Sequence, residues 1–436
     1  MPYKLLMLFA VMVVVCAPAF AQEEPSQKDV WSWAYKTEVR ANYRWSAEQR
    51  HPVMFPVGAS MNTPDPGSHV ELNVADLQLD LDYGELFSAR AKVHAQALHR
   101  RNPTSTDRKI DADELYLRIG LKPEFLDRPR GTSFFLQAGK FPKMERQPVR
   151  LLESYGLAAT SFNRFEDVQL LFGGTVGRNF YWRFQAANGN PLFMRDPNAL
   201  AGDNGTPGAL VLPRTSEFGS GFPILYNAET EDLVFDPRHV QYGEALGYRW
   251  QRPDETFGFD LIVFHYQREL ANTVDLTGTK YGGDLDLLSV TESEVLAGST
   301  SRMLLPIRGN GKEEAGARLY SEWHNATVIA QYTKQKVAGL GRDGWELETG
   351  YRIPLALGLI ESIQPAVRVS AIDNHFFSDP QYPAPSLRWD WRKYDAGIRI
   401  GLKHGLDVTA EYTTHEIDSR FKLNLKEALV TVRWRM

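Results

Sequence analysis

The chain has 436 residues, 43% hydrophobic and 24% charged, with a net charge of −5 and one cysteine. That balance has no polybasic signature, so nucleic acid is not an expected partner. Beyond the amino terminus no stretch approaches the roughly 20 consecutive apolar residues a membrane-crossing helix needs, which excludes a helical membrane protein.

Residues 1–21 read as a secretory signal, with Lys4, an apolar run from Leu5 to Val15, and Ala19-Phe20-Ala21 before Gln22. The expected organisation is a cleaved signal followed by one domain over 22–436, without cysteine, because Cys16 lies inside the signal. Bulky Val13, Val14 and Val15 precede Cys16 where a lipidation signal calls for a small residue.

The first mature segment alternates without a break. Trp31, Trp33, Tyr35, Thr37, Val39, Ala41, Tyr43 and Trp45 share one face; Ser32, Ala34, Lys36, Glu38, Arg40, Asn42 and Arg44 share the other. A period of two is a strand, since successive side chains point to opposite faces. Rings gather at both ends of the apolar face. Trp33 to Tyr43 spans about 33 Å of strand, or roughly 25 Å along a membrane normal at a 40° tilt, the height of an outer-membrane apolar band.

The pattern recurs down the chain. Phe87, Ala89, Ala91 and Val93 oppose Arg90, Lys92 and His94, and Leu115, Leu117 and Ile119 oppose Glu114, Tyr116 and Arg118. Ala315, Ala317, Leu319 and Trp323 oppose Glu314, Arg318 and Glu322. Trp345, Leu347 and Tyr351 oppose Glu346, Glu348 and Arg352, and Ile398 and Ile400 oppose Asp395 and Arg399. Candidate strands number about sixteen, and long connections (46–69, 99–111, 141–166, 190–239, 270–311, 373–388) alternate with short ones such as Gly84-Glu85 and His324-Asn325. Tight turns at one end and long loops at the other predict an all-β fold, a transmembrane antiparallel up-and-down barrel of about 16 strands (16–18) with both termini on the turn side. A soluble sandwich would instead turn its charged faces to outside water around a dry core.

The last strand carries Ala428, Val430, Val432, Trp434 and Met436 on one face. It resembles the terminal strand of bacterial outer-membrane proteins, which usually ends in an aromatic residue and addresses the chain to the barrel-insertion machinery; Met436 departs from that pattern and Trp434 supplies an aromatic on the same face. The segment from Ala138-Gly139-Lys140-Phe141-Pro142 through the third long connection to Asp167-Val168-Gln169-Leu170 resembles the phosphate-selective porin family and its relatives, with alginate-export barrels as a second resemblance. The resemblance covers about forty residues and the general layout, and implies a third loop folded into the pore. The repeated lumenal arginine pattern that would carry over individual anion ligands is not found.

Folded inward, this loop would set a constriction with Lys140, Lys143, Arg146, Arg150 and Arg164 against Glu145 and Glu153, a slight positive excess favouring anions. The rest of the lumen lining is expected from Lys36, Arg40, Arg44, Asp76, Asp80, Asp82, Arg90, Lys92, Arg118, Arg433 and Arg435. Basic residues on one wall and acidic ones on another would give a transverse field with weak ion preference. His94, His265, His324, His375, His404 and His415 are scattered, without His-x-x-x-His or Gly-x-Ser-x-Gly, so no enzyme, cofactor or metal is expected. Asp284 and Asp286 are a minor calcium candidate in a long loop.

The functional expectation is an outer-membrane porin, a passive channel for small hydrophilic solutes with weak anion preference. The alternatives are an alginate-type export barrel and a plugged structural or receptor barrel. Expected partners are outer-membrane lipid and lipopolysaccharide, small hydrophilic or anionic solutes, the insertion machinery and, by resemblance, two further copies in a homotrimer.

Overall fold

A computed structural model describes residues 30–436 apart from 48–49, 53–59, 63–66, 85, 98–109, 122–130, 163–165, 190–224, 228–234, 236, 238–239, 270–278, 282–310, 338, 376–389 and 419–421. The expected signal (1–21), Arg164, Asp284 and Asp286 lie outside the described residues.

Sixteen strands form one closed antiparallel barrel. The first eight are β1 (Trp31–Ser46), β2 (Gly67–Tyr83), β3 (Phe87–Ala97), β4 (Ile110–Gly120), β5 (Ser133–Pro142), β6 (Glu166–Val176), β7 (Phe180–Ala187) and β8 (Gln241–Gln251). The others are β9 (Phe257–Glu269), β10 (Gly311–Trp323), β11 (Ala326–Val337), β12 (Leu340–Tyr351, continued past Arg352 by Ile353–Leu357), β13 (Ile360–Asn374), β14 (Asp390–Leu402), β15 (Leu406–Asp418) and β16 (Lys422–Arg435). Each strand pairs with its neighbours in sequence, and β1 closes the ring on β16 with Ala41 opposite Val432 and Glu38 opposite Arg435. The chain ends within the seam, where Met436 and Thr37 exchange backbone hydrogen bonds of 2.9 and 3.1 Å. Among the described residues no helix is long and apolar enough to cross a membrane.

The alternation read from the sequence is present with its faces inverted relative to a soluble protein. Trp33 is 66% exposed and Trp323 63% on the outer surface, whereas Glu348 and Asp260 are 0% exposed on the inner one. Outward rings form two bands. Trp31, Phe134, Phe180, Trp323, Tyr351 and Trp434 lie toward the short turns; Tyr43, Tyr242, Tyr332, Tyr394 and Tyr412 lie toward the long loops. Such belts suit aromatic side chains, whose apolar bodies and polar tips match a lipid–water boundary. Neighbouring rings interlock across strands, as in Trp31 with Tyr83 at 4.9 Å and Phe180 with Tyr248 at 4.9 Å.

Strict alternation fails where a strand is bulged. In β2 the register slips between Leu72 and Ala75, so Asn73 and Val74 both turn inward and Asp76 keeps its lumenal place. The long–short rhythm of connections also has exceptions. Residues 121–132 make a longer link at the turn end, while 338–339 and 419–421 are brief at the loop end.

The third loop, described over residues 143–162, folds into the barrel and carries the one described α-helix, α1 (Leu157–Ser161). Its entry is shaped at Gly139, whose φ of 132° is open to glycine, and where a Cβ would collide with the Leu115 carbonyl of β4. Apolar inward residues mark the loop's seat. Leu151 and Leu152 pack with Tyr320, Ile329 and Ala366, and Met144 packs with Ile262, Phe264 and Tyr266. Burying each leucine side chain removes it from water at a gain of roughly 1.5–3 kcal/mol.

Candidate functional site

The loop is held by the lumenal ends of side chains from strands far apart in sequence. Glu348 on β12 accepts the backbone N–H groups of Leu151 and Leu152 at 2.7 and 3.0 Å. Glu411 on β15 accepts those of Glu153 and Ser154, the latter at 3.1 Å. Arg368 on β13 donates to the Ser154 carbonyl (2.9 Å) and hydroxyl (2.7 Å), and Lys393 on β14 to the Tyr155 carbonyl at 2.6 Å. Nearer the root of the loop, Arg183 on β7 donates to the Met144 carbonyl at 3.1 Å, and Arg318 on β10 to that of Arg146 at 2.7 Å. Buried carboxylates thereby take the loop's amides, and buried cations take its carbonyls, so the polar backbone is satisfied without regular structure. Gly156 fits because a Cβ there would strike the Glu346 carboxylate.

Beside the loop lies a cavity of about 640 Å³. The strand wall contributes Arg40, Arg90, Lys92 and Arg118, and the loop contributes Lys143, Arg146 and Arg150. Further round, β7, β8, β10 and β14 add Arg183, Arg249, Arg318 and Arg399, and β16 adds Arg433 and Arg435. The carboxylates on the same lining are Glu114, Glu153 and Glu166. Strand polarity puts most of the wall arginines near the turn ends of their strands, so they form a basic zone on that side of the loop.

Each of these carboxylates is paired with arginine, Glu166 with Arg146. Glu153, on the loop, receives Arg399 at 2.7 Å and Arg433 at 2.8 Å, with Arg40 at 3.7 Å. Burial pushes its carboxyl up, but the guanidinium groups of Arg40, Arg433 and Arg399 outweigh that and hold it down at about 2. Asp260 on β9, 0% exposed, receives Arg249 at 2.8 Å, Arg318 at 2.6 Å and the Tyr181 hydroxyl at 2.8 Å. Arg90 bridges Asp80 (2.6 Å) and Glu114 (3.3 Å) and lies 5.6 Å from the centre of the Tyr116 ring. Arg150 stacks on Tyr155 at 3.9 Å.

The residues expected at the constriction divide into two groups. Lys143, Arg146, Arg150 and Glu153 reach the cavity. Lys140 is buried at the loop root near Asp111 (3.7 Å), and Glu145 is buried with a hydrogen bond from Tyr266. Of the expected lining, Arg40, Arg90, Lys92, Arg118, Arg433 and Arg435 are on the cavity. Asp76 and Asp80 stand behind it, neutralising Lys92 (3.0 Å) and Arg90. Arg44 is buried near Glu71 at 3.6 Å, Lys36 is exposed toward the turn end, and Asp82 is half-buried opposite Ser88. Asp76, His94 and Asp113 come close enough to share a cation, as do Asp113, Glu114 and Glu166, but the Lys92 ammonium already bridges Asp76 and Asp113.

Two features of the lining stand beside the expected residues. Basic groups occupy both the strand wall and the loop beside the cavity. The lining also includes Tyr116, Arg183, Arg249, Arg318 and Arg399, which sequence reasoning did not assign to the site. Their inward parity was readable, since Arg249 lies between outward Tyr248 and Trp250, and Arg183 between outward Trp182 and Phe184. Their common height and convergence were not.

Fold and site together define the class: a closed antiparallel barrel with an apolar girdled exterior, a charged interior and a loop dividing that interior. No family model and no curated protein matches the sequence. Among solved structures, the chain is similar to the outer membrane channel DcaP of Acinetobacter baumannii, with TM-score 0.53 and 9% identity over 96% of this chain and 100% of that one. It is also similar to an anion-selective porin from Comamonas acidovorans (TM-score 0.49, 9% identity, 93% and 100% covered) and to Pseudomonas putida OprB (TM-score 0.49, 8% identity, 95% and 100% covered). At these identities the likeness is one of fold.

Proposed function

We propose that the protein is an outer-membrane porin, a passive channel for small hydrophilic solutes that prefers anions. In this reading the mature domain is 22–436, the long loops face the outside and the short turns the periplasm. The final strand addresses the chain to the insertion machinery, and lipopolysaccharide surrounds the upper girdle. The observation that carries the reading is the cavity beside the inward loop, where basic groups outnumber the carboxylates on both sides. A water-filled gap with low-dielectric walls focuses that field, so anions are concentrated and cations repelled. The preference is tempered because Glu153, Glu114 and Asp80 each neutralise part of the arginine charge.

The test is the reversal potential of the purified protein in a planar bilayer under a KCl gradient. A potential displaced toward that of chloride is expected; one displaced toward that of potassium refutes the anion preference, and absence of conductance refutes the channel. A resemblance-based homotrimer is part of the proposal, and would show as three equal conductance steps per insertion.

A further inference from the structure

The loop places a carboxylate of its own inside an arginine cluster that opens on the lumen. Glu153 is 3% exposed, lies on the cavity lining, and directs Oε1 to Arg399 Nη2 (2.7 Å) and Arg433 Nη1 (2.8 Å) and Oε2 toward Arg40 Nη1 (3.7 Å). Its backbone is fixed independently of this side chain, since its N–H goes to Glu411 and its carbonyl accepts from Arg150 at 2.9 Å. The carboxylate can therefore rotate away while the loop stays seated. Its surroundings are planar guanidinium forks from β1, β14 and β16, backed on the wall by Asp407 at 2.8 Å from Arg433 and by Glu38 beside Arg40, and such forks match the two oxygens of a carboxylate better than they match a spherical ion.

We propose that Arg40, Arg399 and Arg433 form a carboxylate-binding site in the lumen and that Glu153 is its tethered occupant, which a carboxylate-bearing solute displaces on its way through. The inference rests on the channel reading and deepens it by naming the chemistry of the solute the site accepts. A resident carboxylate makes passage an exchange: one anion leaves the guanidinium groups as another arrives, so no bare arginine cluster is left to trap the solute. Glu153 is thus a specificity-determining residue, weakening a site that would otherwise bind its cargo too tightly to release it.

The experiment compares wild type with E153A, E153Q and E114Q, full-length and folded in detergent, at fixed ionic strength with sodium acetate or sodium phosphate replacing sodium chloride. Thermal unfolding is read for every variant, and single-channel current in bilayers alongside it. In E153A the loop's carboxylate is gone while Asp407 and Glu38 stay on the wall, and acetate is expected to raise the melting temperature and to reduce the current at a half-saturating concentration at least about tenfold below that of wild type, a change worth about 1.4 kcal/mol. In E153Q the amide fills the space, and in E114Q the same charge is removed from elsewhere on the lining; neither is expected to gain the acetate response. If E153A responds to acetate no more than E114Q does, or responds equally to chloride, the site is overturned; a response in E153Q equal to that of E153A also overturns it. Should E153A fail to fold, E153S takes its place. If wild type does not conduct, the channel reading falls, while the acetate-dependent melting still decides whether the site exists.

Discussion

At the scale of single residues, the lumen is built from shared charges. Asp260 answers two guanidinium groups, and Glu153 two closely and a third more distantly. Removing one carboxylate leaves several like charges facing each other, so D260N is expected to destabilise the barrel by about 3 kcal/mol or less, the lower end of buried-pair disruptions because lumen water relieves part of the repulsion. Denaturant unfolding of the detergent-solubilised protein measures it, and a cost below that of a surface substitution would show that the cluster carries no structural role. The pH response follows from Glu153. Its carboxyl is held at about 2, below the ordinary 4.5, so its contribution is fully present above 4.5 and is lost only as pH falls through about 2. Open-channel conductance is expected to hold from pH 7 to about 4 as far as this group controls it, and a change of anion conductance already near pH 5 that is absent from E153Q would contradict the assignment.

At the scale of elements, the strands were legible and the loop's seat was only partly so. A tryptophan or tyrosine at every second position, as in Trp31-Ser-Trp-Ala-Tyr35, fixes both period and face, because lipid and water accept opposite side chains. The inward path of residues 143–162 had only the resemblance behind it. A physical sign was present in β9, where Leu261, Ile262, Val263 and Phe264 run without alternation: Val263 meets lipid and Ile262 and Phe264 meet the loop. An apolar stretch on both faces of a barrel strand marks something dry inside. The bulge at Asn73 was not legible, since it depends on cross-strand register. Two substitutions separate the loop's two kinds of anchor. L152A should cost about 2–5 kcal/mol of seating free energy and E348Q about 1–3, both read as increased current noise and faster proteolysis within 143–165, with the barrel still folded. Unchanged noise in both variants would mean the loop is held by its ends alone.

At the scale of the whole molecule, the inversion of faces makes its own prediction. V263R places a guanidinium on the lipid face in mid-strand and is expected to cost about 2–4 kcal/mol, whereas S32R, exposed on the lumenal face of β1 opposite Asp82, is expected to fold. Equal effects of the two on folding yield into lipid vesicles would contradict the assignment of faces. The charge tally of the sequence did not disclose the basic zone, because a tally ignores height: Arg183, Arg249, Arg318 and Arg399 stand on different strands and meet only when the sheet curls shut. Glu153 touches both sides of the place where that curling finishes, with Arg40 on the first strand and Arg433 on the last. It works as a clasp across the join. Since Arg40 and Arg433 come together only when the first and last strands pair, an open wall has no finished aperture, and closure of the wall and shaping of the bore are the same event.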